Sequence, residues 1–143
     1  YTQIMPRAGD NKDTLTNLTE TGECVVNIVS SDLMDIMNAT SASLPMDESE
    51  FFHVGVEYSA SQKVSPLSVA KSPVRYECTL REILSIGDSA GSGTVVLLDV
   101  VSVYVHDNLY SEGIIDQAQI DSVGKMGGDG YYIAAQYTEL ERP

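Results

Sequence analysis

The pattern of hydrophobic and polar positions contains one long apolar run and one long alternation. Between Val95 and Val105 every residue except Asp99 and Ser102 is apolar or aromatic, and most are β-branched. β-Branching stiffens χ1 and favours a pleated strand over a helix. Apolar side chains at both parities predict a strand covered on both faces. Upstream, Ser72 to Ile86 alternates, with Val74, Tyr76, Cys78 and Leu80 facing one way and Arg75, Glu77, Thr79 and Arg81 the other. Between the two, Gly87 to Gly93 carries the Gly, Ser and Asp of a hairpin loop. Two long strands joined in this way predict a mostly β domain whose sheet curves or closes into a barrel.

Shorter elements follow from local signals. A helix is predicted from Lys12 or Asp13 to Thr21, capped by Asp13 or Thr14 and ended by a left-handed Gly22. Glu23 to Val29 reads as a short buried strand. Ser30-Ser31-Asp32 offers the N-cap of a second helix, Leu33 to about Asn38, with Leu33, Ile36 and Met37 turned inward. Ala39 to Glu50 is a loop, Phe51 to Tyr58 holds a short edge strand, and Ser59 to Lys71 is a second loop. Beyond the hairpin come a turn at Asp107 to Gly113, a brief pairing at Ile114 and Ile115, and a helical turn from Asp116 to Ile120. The polar opening segment, Tyr1 to Asn11, predicts no element.

Composition narrows the classes. The 143 residues fit one domain, 1–143, and 43% hydrophobic with 20% charged residues is ordinary for a globular protein. No apolar run approaches the roughly 20 residues of a membrane helix, and no signal segment opens the chain, so neither membrane nor secretion is expected. Asn17-Leu18-Thr19 and Asn38-Ala39-Thr40 are then chance glycosylation triplets, and the expected location is intracellular, in the cytoplasm. A net charge of -13 with only 8 Lys and Arg excludes nucleic acid as an expected partner, and any phosphate ligand needs a local cationic pocket.

Cys24 and Cys78 both fall in predicted strands, where buried thiols are favoured over a disulfide, and without a nearby His pair they make no zinc site. His53 and His106 have no triad partners around them. No metal ligand and no catalytic acid or base is assigned.

Specific residues then suggest a family. Asn11-Lys-Asp-Thr-Leu-Thr-Asn17, Glu20 to Val29, Met37-Asn-Ala-Thr-Ser41 and Glu50-Phe51 resemble the flavin reductase-like, FMN-binding split-barrel family. So do Ala70 to Val74, Glu77-Cys78, the strand from Val95 to Val105, Asp116, and Gly127-Gly-Asp-Gly-Tyr131. They occur in the family's order from about Asn11 to Tyr132. The resemblance implies a mainly β, Greek-key split barrel with two or three short helices. It also implies a homodimer, FMN held at or near the subunit interface, and hydride transfer from NADH or NADPH to flavin. The cofactor would carry that chemistry, with the protein orienting it and excluding water.

The resemblance places Lys12, Asp13 and Thr14 in the phosphate or ribityl pocket. Free N–H groups and the positive dipole end at a helix start favour an anion there. From the residues alone, Asp13 or Thr14 reads as a cap and Lys12 as a solvated charge. Asn38, Thr40 and Ser41 are expected near the flavin or the partner subunit, and equally fit a helix-closing turn. Gly127 and Gly128 suit an ordinary turn, and Tyr131 and Tyr132 suit core or interface positions. Two departures stand out. Ser102 and Tyr104 occupy strand positions where reductase members carry a His. The chain also starts just ahead of Lys12, where members have further strands, so the domain is expected to be N-terminally incomplete. The alternative reading is a non-catalytic descendant, a binding or assembly protein on the same scaffold.

Overall fold

The computed structural model describes residues 2–4, 12–87, 93–134 and 137–141. In chain order the elements begin with strand β1 (Thr2–Ile4), helix α1 (Asp13–Thr21) and strand β2 (Glu23–Asn27). Helices α2 (Met34–Ala39) and α3 (Glu50–Val54) follow, then β3 (Tyr58–Ser59), β4 (Ser68–Val69) and the long pair β5 (Val74–Ile86) and β6 (Gly93–Val105). The remainder is β7 (Tyr110–Ser111), β8 (Ile114–Ile115), β9 (Val123–Lys125) and β10 (Tyr131–Ile133). Short 3-10 turns lie at Ser31–Leu33, Asp107–Leu109 and Gln117–Gln119.

The main sheet has the order β1-β6-β5-β2, and β9–β10, β3–β4 and β7–β8 form two-stranded pairs. β1 runs antiparallel to β6, with Gln3 opposite Val95. The polar opening segment therefore contains a strand that its composition did not predict, because pairing with the apolar β6 overrides weak local propensity. The rest of that segment, residues 5–11, lies outside the described residues, as does most of the hairpin loop, residues 88–92.

Two compact units emerge. The first comprises Tyr1–Val26, Ser59–Ser68 and Tyr76–Val103; the second comprises Asn27–Tyr58, Val69–Arg75 and Tyr104–Pro143. In the first, buried Leu18 and Val96 form a cluster with Leu15, Cys24, Leu80, Ile83 and Leu98 packed against it. α1 thus lays its apolar edge on the hairpin, and Gly22, at φ +70°, ends it by donating its N–H to the Leu18 carbonyl at 2.9 Å. The loop between β3 and β4 is held by carboxylates of the sheet. Glu77 accepts from the backbone N–H groups of Gln62 at 2.9 Å and Lys63 at 2.6 Å, and Glu23 accepts from Ser65 at 2.8 Å.

In the second unit Ser31 donates both its backbone N–H and its hydroxyl to Asp121. An antiparallel bridge joins Ser30 to Ser122, and the Val123 N–H reaches the Val29 carbonyl at 2.8 Å. Leu33 is buried as expected, but the helix there opens with a 3-10 turn.

Three sequence expectations are corrected. The polar face assigned to β5 is not wet at its start: Arg75 is 8% and Glu77 6% exposed. Glu77 is satisfied by the two loop amides, and the Arg75 guanidinium lies over the Tyr104 ring, so partners replace water. β6 is not covered throughout: Val100, Val101 and Val103 are 54%, 45% and 52% exposed in the single chain. Its one internal charge, Asp99, pairs with Arg81, which holds that guanidinium protonated above its ordinary range. Finally, the stretch Phe51 to Tyr58, expected to hold a short edge strand, is helical as far as Val54, led in by Ser49 and closed by left-handed Gly55. Strand pairing starts only at Tyr58.

Candidate functional site

Lys12 occupies the N-cap of α1 with extended backbone, and its carbonyl accepts from Leu15 at 2.9 Å and Thr16 at 3.1 Å. Neither Asp13 nor Thr14 caps the helix, which corrects that part of the sequence reading; both are exposed residues of its first turn. The Lys12 side chain, at the N-cap, makes no cap hydrogen bond to the first-turn amides. The helix start therefore brings a lysine, a hydroxyl and first-turn N–H groups together, an arrangement suited to an anion. Asp13 adds an opposing charge at the same end.

Asn38, Thr40 and Ser41 stand together where α2 closes, in the second unit. The Thr40 hydroxyl donates to the Met37 carbonyl at 2.7 Å and the Ser41 hydroxyl to the Asn38 carbonyl at 2.7 Å. The helix-closing reading is thus realised. Each hydroxyl oxygen still has lone pairs with which to accept from a ligand.

Two clefts open among the described residues. One, of about 490 Å³, lies in the second unit between Phe51, Phe52, Val56, Tyr58 and Ala70. Tyr58 receives both phenylalanines edge-to-face, at 5.9 Å and 5.8 Å between ring centres. The second, of about 250 Å³, runs along α1 past Leu15, Thr16, Thr19 and Ile83. The walls of these two do not include Lys12, Asp13, Thr14, Asn38, Thr40 or Ser41. The aromatic cleft was missed from sequence because Phe51 to Tyr58 was expected to hold only a short edge strand; the left-handed Gly55 after a Ser-led, five-residue helix was the signal available.

The remaining candidates have structural occupations. Lys125 donates to the Gly128 carbonyl, reaches the Gly130 carbonyl at 3.4 Å, and sits 4.5 Å from the Tyr131 ring centre. The glycine-rich stretch there is an ordinary turn between β9 and β10, with Gly128 at φ +61°. His106 Nδ1 accepts from the Asn108 N–H at 3.3 Å, and His53 lies exposed in the last turn of α3. No cluster of three metal-ligating side chains occurs among the described residues. Cys24 and Cys78 are both free thiols; burial, aided by its neighbour Cys78, pushes Cys24 up to about 11. No helix among the described residues is long and apolar enough to cross a membrane.

Comparison with known proteins adds the following. Residues 5–126 match the family model described as Flavin reductase like domain. An uncharacterized protein of Halalkalibacterium halodurans is 34% identical over 137 residues, covering 94% of this chain and 66% of that protein. The chain thus spans about two thirds of the length of that curated relative. Nitrilotriacetate monooxygenase component B from Bacillus cereus superposes with a TM-score of 0.88 at 28% identity, covering 97% of this chain and 70% of that one. A protein with a split barrel domain from Shewanella frigidimarina NCIMB 400 superposes at 0.81 with 28% identity, covering 99% and 70%. The fold is mainly β, of the split-barrel type.

Proposed function

This chain belongs to the flavin reductase like domain family, and from that premise we propose that it binds FMN and passes a hydride from NADH or NADPH to flavin as a homodimer. The observation that carries the reading is the head of α1, where Lys12, the Thr14 hydroxyl and first-turn amides that take no hydrogen bond from the N-cap side chain suit the FMN phosphate. These are the groups a terminal phosphate needs in a chain of net charge -13, which otherwise repels anions. Asp13 fits a hydrogen-bonding role toward ribityl hydroxyls better than contact with the phosphate itself.

FMN, when bound, supplies the hydride-accepting chemistry. The chain's own part is to bind and orient. Lys12 neutralises charge, Thr14 hydrogen-bonds, and Asn38, Thr40 and Ser41 offer acceptor lone pairs to the flavin or to the partner subunit. No side chain is assigned as a proton donor or acceptor in the transfer. The homodimer is supported by the half-exposed valines of β6: Val101 and Val103 share one face of the strand, an apolar surface that a second copy would cover. A nicotinamide nucleotide as reductant fits a cytoplasmic location.

The test is direct. The purified protein should take up FMN in equilibrium dialysis, turn yellow, and oxidise NADH or NADPH when FMN is supplied. A colourless protein that retains no added FMN would overturn the reading and favour a binding or assembly role on the same scaffold.

A further inference from the structure

The two cysteines lie opposite one another across neighbouring strands. The Leu80 N–H donates to the Gly22 carbonyl at 2.8 Å, and the Ile28 N–H donates to the Val74 carbonyl at 2.9 Å. Numbers rise along one strand as they fall along the other, so β2 and β5 pair antiparallel. Stepping two residues inward from Gly22 and Leu80 puts Cys24 opposite Cys78; four further residues on each strand reach the Ile28–Val74 bond. The cysteines therefore occupy a directly paired, hydrogen-bonded position of the ladder. Alpha carbons at such positions stand about 5.5 Å apart, inside the range a disulfide spans. The side chains also lie close enough that each thiol perturbs the titration of the other.

We propose that Cys24 and Cys78 form a peroxide-oxidisable dithiol whose product is an internal disulfide stapling β2 to β5. Cys24 is half-buried, whereas Cys78 is 1% exposed, so Cys24 is the one that meets the oxidant. Hydrogen peroxide transfers one oxygen to the Cys24 sulfur, giving a sulfenic acid and water. The Cys78 sulfur then attacks that sulfur, expelling the oxygen as a second water and leaving the S–S bond. Two thiols lose two electrons and two protons; one peroxide is reduced to two waters. No backbone rearrangement is required, because the register already places the resolving sulfur beside the first. Burial that raises the Cys24 thiol keeps the thiolate scarce, so the reaction is slow and the pair does not act as a catalytic dithiol.

The experiment uses the full 143-residue chain with hydrogen peroxide as the oxidant. After quenching and denaturing alkylation, the expected product is a monomeric chain about 2 Da lighter that takes no alkyl group, with two alkylation sites restored by dithiothreitol. The Cys78→Ser variant should instead stop at a sulfenic acid on Cys24, captured by dimedone, and then over-oxidise. Wild-type chain that keeps two alkylatable thiols, or that links only between chains, overturns the proposal without any variant having to fold. Over-oxidation of Cys24 while Cys78 is present overturns it equally. FMN binding plays no part in either readout.

Discussion

The Arg75 guanidinium carbon stands 3.6 Å from the centre of the Tyr104 ring, and Arg75 is almost wholly buried. A cation held against an aromatic face away from water is worth about 2 kcal/mol. Tyr104→Leu should therefore lower unfolding free energy by about 2 kcal/mol, read as an earlier urea midpoint with an unchanged slope. The same contact explains a departure noted in the sequence: Tyr104 stands where a histidine was anticipated, and its ring is already occupied in bracing β5.

Glu77 is the second buried charge of β5, and its two carboxylate oxygens accept one loop amide each, from Gln62 and Lys63. Glu77→Gln replaces one acceptor with a donor that faces an N–H. The expected loss is about 2 kcal/mol, accompanied by faster tryptic cleavage after Lys63 in the native state. Unchanged cleavage would mean the loop is held by other contacts.

How far the chain could be read beforehand depended on whether contacts were local. α1 and its Gly22 stop were legible because a helix end is written in adjacent residues. The β5–β6 hairpin was legible because thirteen-residue strands leave a long period-two or apolar trace. Arg75 and Glu77 misled because alternation reports polarity, whereas their burial depends on Tyr104 and on the loop carrying Gln62 and Lys63. The helix over Phe51 and Phe52 was not anticipated because a five-residue helix leaves too short a periodic trace, while Ser49 and Gly55 set its ends. At the head of α1, which of Lys12, Asp13 and Thr14 stands at the N-cap depended on backbone angles that residue types do not encode.

The head of α1 yields a quantitative expectation. Lys12→Ala should weaken FMN binding on the order of tenfold, with the deficit shrinking as salt is raised, because a partly exposed charge is screened. Titration of FMN fluorescence against wild type and variant measures it. Equal affinities would remove Lys12 from the phosphate pocket.

Cys24 adds a pH dependence. Its thiol ordinarily titrates at 9.0 and is pushed up to about 11 in the fold, chiefly by burial. The unfolded chain releases this proton first as pH rises, so the stabilisation is complete below 9.0 and is lost between there and about 11. Discounted for the thiol's partial exposure, the loss is about 1 kcal/mol. Cys24→Ala should flatten the stability profile by that amount in the same window, and identical wild-type and variant profiles would contradict it.

Glu112 and Gly113 join β7 to β8, and both have positive φ, 51° and 86°. A two-residue hairpin with that geometry suits Asn-Gly, and Glu in the left-handed region is strained. Glu112→Asn should raise Tm by about 2 °C, corresponding to roughly 0.5–1 kcal/mol, in a calorimetric scan.

The clasp between Ser31 and Asp121 has a temporal consequence, since its partners are 90 positions apart. Until Asp121 and the following Ser122 and Val123 have left the ribosome, the Val29–Ser31 backbone lacks its strand partner. The nascent second unit then exposes an unpaired edge throughout most of its own synthesis, the interval in which a chaperone has most to shield.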